Sequence, residues 1–301
     1  MYEEDDAPYG GAPDVDPAPA STTRLARLLA QRGVASRREA ERLIAQGEVT
    51  VNGEVVRGVV LVDPERDRIR IEGRPLPPPP EPAYFVMYKP RGCITTREDP
   101  QGRPTVFDKL GDLPRGVEAV GRLDFDTEGA LLLTNDGDLA NALTHPKNHV
   151  PKRYLVKVYR QPDDRDLEAL RTGVFLEDGR TMPAKARVVS TTDKTNAWVE
   201  ITVTEGRNRL VRRMLQALGH PVSKLRRESF ATISIRGLEL GSVRRLTGVE
   251  IKRLQDLAAG LSPSRAGRKK GKGFARAKPK PVRPGQRKRG TRRGTASKTA
   301  K

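Results

Sequence analysis

The run "GRPLPPPPEP" at 73–82 constrains this chain more than any other stretch. Proline fixes φ and lacks an N–H, so four consecutive prolines can neither continue a helix nor sit inside a sheet. They form a stiff polyproline spacer. It divides 301 residues into a small N-terminal module and a larger C-terminal one, and neither contains an internal repeat.

The small module, 24–72, contains "RLARLLAQRGVASRREAERLIAQGEVTVNGEVV". Leu25, Leu28 and Leu29 share one helical face, and Arg32-Gly33 ends that helix. Ser36 caps a second helix, with Glu39 placed to complete a capping box. Ala40, Leu43 and Ile44 form its buried side, Gly47 stops it, and Asn52-Gly53 turns a hairpin. Arg37 and Arg38 are left exposed in the first turn, where the helix dipole favours negative charge. Either a bound phosphate supplies that charge, or the two arginines belong to a solvated face.

In the larger module, 84–261, six stretches are strand-like: "YFVMY" (84–88), "ALLLT" (130–134), "RYLVKVY" (153–159), "AKARVVS" (184–190), "AWVEITVT" (197–204) and "TISI" (232–235). Four are helical: "GDLANALT", "DDRDLEALRTG", "RNRLVRRMLQALG" and "TGVEIKRLQDL". Several strands follow one another with no helix between them, which predicts an α+β fold with a mixed, mainly antiparallel sheet. In the third helix Val211, Met214, Leu215 and Leu218 turn inward, leaving Arg209, Arg212 and Arg213 on other faces.

Charge narrows the partner. Of the formal net charge of +19, sixteen positive charges lie in 262–301 and six negative ones in 1–23, so the stretch between keeps +9. Both ends have the composition of disordered tails, and the basic one adds salt-dependent affinity for nucleic acid. A body that stays basic without its tails points to a polyanion, in the first place nucleic acid. No basic amphipathic helix or lipidation signal points to a membrane. One cysteine, Cys93, and three histidines, His145, His149 and His220, leave no multi-cysteine or histidine-rich metal centre, and they suit a reducing, cytoplasmic compartment.

"GRLDFDTEG" at 121–129 sets Asp124, Asp126 and Glu128 on alternate positions ahead of the apolar "ALLLT". As a calcium loop the pattern fails, because Asn135 stands where a bidentate Glu is required. A magnesium nuclease would use clustered carboxylates, but Arg122 would share their side and Glu128-Gly129 signals a turn. Asp126 and Thr127 fit a turn cap. Asp124, between Leu123 and Phe125, is partly desolvated and needs a cation to stay ionised. Arg122 and Arg212 are the candidates. Tyr154, opening a strand in "KRYLVKV", is either core or a stacking platform for a base.

Two resemblances gather these features. Residues 24–72, through "SRREAERLI" and "VNG", resemble the small RNA-binding domain shared by a small-subunit ribosomal protein, tyrosyl-tRNA synthetase and several RNA-modifying enzymes. Over 24–261, "GRLDFDTEGALLLTNDGDL", "KRYLVKV" and "EGRNRLVRRML" resemble, in order, the central, Tyr and Arg motifs of the RsuA/RluB family of ribosomal RNA pseudouridine synthases. Leu210 departs from it where many members place Gln, and Ala130 where many place Leu.

The resemblance implies a cofactor-free, metal-free isomerase acting as a monomer on ribosomal RNA or an assembly intermediate. Asp124 would be the catalytic aspartate, Tyr154 would stack on the target base, and Arg212 would pair with Asp124. Arg122 would fill the gap left by the flipped uridine, with Arg37, Arg38, Arg207 and Arg209 binding RNA. The pattern "GHPVSKLRR" looks closer to large-subunit than to small-subunit members. Attack on the sugar, attack on the ring and abstraction of a sugar proton all remain open for Asp124. The competing function is a ribosome assembly factor that binds RNA without chemistry.

Overall fold

A computed structural model describes residues 22–192 and 195–261. The acidic and basic tails expected at 1–23 and 262–301 fall outside it, save for two residues. Thr23, assigned above to the acidic tail, belongs to the fold: β1 (Thr23–Arg24) pairs antiparallel with β4 (Leu61–Val62).

In the small module, α1 (Leu25–Gln31) and α2 (Arg37–Gln46) close over β2 (Val49–Val51), β3 (Glu54–Val55), β5 (Ile69–Ile71) and β6 (Arg74–Pro75). Leu25, Leu28, Leu29, Ala40, Ile44, Val49, Val62 and Ile69 make its core. Ser36 caps α2 as expected, accepting from the Glu39 amide at 3.2 Å. The Glu39 carboxylate pairs with Arg42 rather than completing a capping box. The spacer is shorter than 73–83, because Arg74–Pro75 pair with β5 and Leu76 packs on the module core.

The larger module is one mixed sheet. Its strands are β7 (Tyr84–Lys89), β8 (Glu118–Val120), β9 (Glu128–Thr134), β10 (Lys152–Tyr159), β13 (Lys185–Thr192), β14 (Asn196–Val203), β15 (Val222–Phe230), β16 (Ile233–Ser234) and β17 (Val243–Arg245). A separate hairpin, β11 (Phe175–Leu176) and β12 (Gly179–Arg180), stands apart from it. The order is β13-β14-β10-β15-β9-β7-β17, with β8 and β16 as side pairings. Every pairing is antiparallel except β15 with β9.

The helices α3 (Gly137–Thr144), α4 (Asp164–Thr172), α5 (Leu210–Ala217) and α6 (Gly248–Ala258) cover the sheet. Strand β9 is buried on both faces, which is why "ALLLT" reads as a continuous apolar run rather than an alternation. On one side Ala130 and Leu132 meet Leu139, Leu143 and Leu254 of α3 and α6. On the other, Leu131 and Leu133 pack with Phe85, Met87, Val106 and Leu123. The half of the sheet formed by β10, β13 and β14 has its own core with α4 and α5. Leu210, the departure from the family's Gln, is buried there at 5 % exposure, and Ala130 is fully buried beside α3.

The central strand β15 escaped the sequence reading. "VSKLRRESF" alternates, but it places Arg227 on a face where apolar residues are expected, between Leu225 and Phe230. A bulge lies where Arg153 and Tyr154 meet Ser229 and Arg227, and it brings Phe230 back to the face of Arg227.

The parallel joint between β15 and β9 consists of two register pairs, Arg226 with Glu128 and Arg227 with Gly129. Gly129 has φ +128°, and a Cβ there would lie 2.3 Å from the Arg227 carbonyl oxygen and 2.5 Å from its nitrogen. Only glycine permits this approach. We expect Gly129→Ala to destabilise the fold by about 3 kcal/mol, from strain and overpacking together. Denaturant unfolding checks this, and a midpoint equal to the parent's would mean that the joint tolerates a side chain.

Candidate active site

Asp124 sits in the loop between β8 and β9, and that loop is fixed from below by a residue the sequence reading missed. Lys89, the last residue of β7, is fully buried, and its ammonium donates to the carbonyls of Pro90, Asp124 and Thr127, each at 3.0 Å. Three acceptors use all three of its N–H groups. Burial pulls the Lys89 pKa below its ordinary value, and the Asp124 and Asp126 carboxylates pull it back up. The Phe125 carbonyl accepts from the Gly92 amide at 2.9 Å, and the Thr95 hydroxyl donates to the Leu123 carbonyl at 2.9 Å. Leu123 anchors the loop in the core, while the Asp124 side chain keeps 35 % exposure.

Asp124 faces a cavity of about 260 Å³. Tyr154 lines it from β10, Arg122 from the loop, and Arg207 and Arg209 from the segment leading into α5. Leu210, Val211, Leu225 and Phe230 supply apolar walls, so a planar ring would find both apolar surface and polar groups there. Arg122 is exposed and makes no hydrogen bond or ion pair among the described residues.

The arginines are distributed differently from the sequence expectation. Arg212 does not form its ion pair with Asp124. Its Nη2 lies 3.0 Å from Asp126 Oδ2 and donates to the Asp126 carbonyl at 3.2 Å. Burial lowers the Arg212 pKa, with Asp126 and then Asp124 opposing that shift. Asp126 is therefore an anchor for Arg212 rather than a turn cap alone. The cation paired with the Asp124 carboxylate is Arg209, at 3.8 Å, which also reaches Asp126 at 3.5 Å. Arg209 holds φ +46°, in the left-handed region that an arginine rarely occupies. That turn aims it across the loop just before α5 begins.

Arg207, expected to bind RNA, is taken up by an internal network. Its Nε and Nη2 donate to Glu205, and its Nη groups donate to Asp178 and to the carbonyls of Gly179 and Arg180. Arg213 grips the same Asp178, whose pKa is held down to about 2 mainly by that contact. The pair ties the hairpin of β11 and β12 to α5. Arg37 and Arg38 are exposed on α2, away from this cavity, and Arg37 borders a second one of about 710 Å³ between the small module and the larger.

Two more cavity residues were missed, Lys152 and Arg227. Lys152 carries a legible signal, since it precedes Tyr154 by two in "KRYLVKV" and so leaves the strand on the same face. The signal for Arg227 was hidden with its strand.

Comparison with known proteins identifies both modules. The family profile for RNA pseudouridylate synthase matches residues 83–217, and that for the S4 domain matches 23–65. The ribosomal large subunit pseudouridine synthase B of Bacillus subtilis strain 168 is 46% identical over 236 residues, covering 78% of this chain and 96% of its own. The Yersinia pestis protein of the same name is 43% identical, covering 72% and 70%. A crystal structure of a pseudouridylate synthase superposes with a TM-score of 0.56 at 34% identity, covering 77% of this chain and 99% of that one. Motif order, fold and relatives coincide, and the chain belongs to the RsuA/RluB family of RNA pseudouridine synthases.

Proposed function

We propose that this chain isomerises one uridine of large-subunit ribosomal RNA to pseudouridine, with Asp124 as the catalytic carboxylate and without a cofactor. The observation that carries the reading is the meeting of Asp124, Tyr154 and the unpaired Arg122 around one small, part-apolar cavity. The names of the Bacillus and Yersinia relatives support the choice of the large subunit.

The reaction breaks a glycosidic bond, turns the uracil and rejoins it through a ring carbon. A base inside a folded RNA must first leave its stack, which costs a few kcal/mol and least in a loop. Stacking on Tyr154 returns roughly 1–3 kcal/mol of that. Arg122, exposed beside the cavity, is the side chain available to fill the gap in the RNA. Asp124, on a loop held through its own carbonyl by Lys89, acts on the base or its sugar. Arg209 bridges the two acids of the loop and Arg212 pairs with Asp126, which orients both carboxylates.

Residues 24–76 serve as the RNA-binding module, with Arg37 and Arg38 as phosphate contacts, and 84–261 as the catalytic domain. The enzyme works as a monomer in the cytoplasm, on ribosomal RNA or an assembly intermediate. Among the described residues no helix is long and apolar enough to cross a membrane.

Pseudouridine mapping of ribosomal RNA, in cells lacking the gene and complemented with variants, tests the reading. One site should disappear, return with the parent protein and stay absent with Asp124→Asn. A site restored fully by Asp124→Asn would assign the chain to RNA binding in ribosome assembly instead. Asp126→Asn removes the ion pair with Arg212 and leaves the Asp124 side chain itself unchanged. The rate should then fall roughly 10- to 100-fold through misplacement of the loop, in single-turnover assays on a ribosomal RNA fragment. An unchanged rate would remove Asp126 from the machinery.

A further inference from the structure

The cavity holds two cations that the roles above leave unused. Lys152 and Tyr154 leave β10 on the same face, and both line the cavity. The Lys152 ammonium donates to the carbonyls of Val150 at 2.9 Å and Thr204 at 3.4 Å, which leaves one of its three N–H groups over. Arg227 beside it is 3 % exposed, donates Nε to the Ala130 carbonyl at 2.8 Å and has Nη2 unpartnered. Both stand over one ring, with Lys152 5.6 Å and Arg227 4.9 Å from the centre of Phe230. Neither belongs to an ion pair among the described residues.

A ring face offsets part of a cation's burial cost, but two neighbouring cations with no contact ion pair, and only the shared Glu205 nearby, remain unfavourable. Burial, and after it the Arg227 charge, push Lys152 down to about 8. The groups facing Lys152 are Arg227 from β15 and Glu205 from the turn after β14, itself paired with Arg207. Tyr154, Asp124, Arg122 and Arg209 complete the charged and titratable lining. Such a site is completed by negative charge arriving from outside. A flipped pyrimidine ring is small enough for a cavity of about 260 Å³, and Val211, Leu225 and Phe230 give it apolar walls that a strongly hydrated phosphate would not use.

Every route open to Asp124 gathers negative charge on the uracil. When the sugar is attacked or loses a proton, the N1–C1′ bond breaks and its electron pair leaves with the base. When the carboxylate adds to the ring, the ring becomes an enolate. We propose that Lys152, with Arg227 behind it, is a further catalytic residue whose ammonium holds this charge on the uracil until the carbon bond forms. The balance closes: the N1–C1′ bond breaks, C5 bonds to C1′, C5 gives up its proton and N1 ends with one. Lys152 finishes protonated, as it began. Preorganised charge of this kind acts most strongly in a water-excluded site.

This inference rests on the cavity being the uridine site. The test uses the full chain and a ribosomal RNA fragment, comparing parent, Lys152→Met, Lys152→Arg and Asp124→Asn in single- and multiple-turnover assays, with RNA affinity and thermal melting measured alongside. Lys152→Met should lower kcat about 100-fold while KM and RNA affinity move less than about threefold. The parent's rate should fall as pH rises through about 8, where the ammonium is lost. Lys152→Arg, charged at every pH used, should keep much of the rate and lose that fall. A Lys152→Met enzyme within threefold of the parent, a loss confined to RNA affinity, or a Lys152→Arg profile that falls as the parent's does would each overturn the proposal. If Lys152→Met does not melt as the parent does, the Lys152→Arg profile decides alone. An active parent with an inert Asp124→Asn keeps the uridine reading whatever Lys152 does, so the two failures are separable.

Discussion

The backbone contact between Gly129 and Arg227 is the constraint on which the rest of the structure depends. It joins the half of the sheet made by β9, β7 and β17 to the half made by β15, β10, β14 and β13 through the only parallel pairing in the sheet. The loop of Asp124 runs into β9 from one side of that joint, while Tyr154 and Lys152 descend from β10 on the other. Register at this point therefore sets the distance from the Asp124 carboxylate to the Tyr154 ring, since a slip by one residue would turn every side chain on β15 to the opposite face. The same contact brings the Arg227 side chain beneath Ala130, where Nε finds its carbonyl acceptor.

Around that joint the charges are layered. Buried Lys89 faces carbonyls rather than carboxylates, so it orders the loop without neutralising the acid that the loop presents. The two loop acids are then divided between two arginines of the α5 segment, Arg212 close to Asp126 and Arg209 bridging both. This leaves Asp124 loosely partnered at 3.8 Å and partly exposed, while Asp126 carries the tighter contact at 3.0 Å. A closer ion pair on Asp124 would have held it more rigidly.

Much of this was legible in the sequence. The resemblance to the RsuA/RluB motifs implied that Asp124 and Tyr154 share one site, while period-two and period-3.6 spacing read the strands and helices that carry such residues. The helices at 137–144, 164–172 and 210–217 were readable for the same reason. What could not be read were contacts between distant segments. Nothing local in "YKPRG" says that Lys89 will lie under a loop 35 residues later. Nor does "SKLRRESF" announce that Arg227 is a core residue, because an arginine on the apolar face of a strand reads as a break in the alternation. Choosing Asp124 over Asp126 as the partner of Arg212 failed likewise, since the two acids are two residues apart and only the approach of α5 decides between them.

The arginines carry the wider lesson about charge as evidence. The net charge of +19 invites every basic residue near a motif to be counted as an RNA contact. In the fold, Arg207 and Arg213 spend their donors on Asp178, Glu205 and backbone carbonyls, and Arg227 spends its Nε on a strand carbonyl. Their charge still contributes to the field that attracts a polyanion, but their hydrogen-bonding capacity is mostly committed. Arg122, Arg37 and Arg38 are the basic candidates whose donors remain available at the surface. On the proposed reading, few side chains are left to set position along an RNA, and they lie on two modules joined by a short proline run.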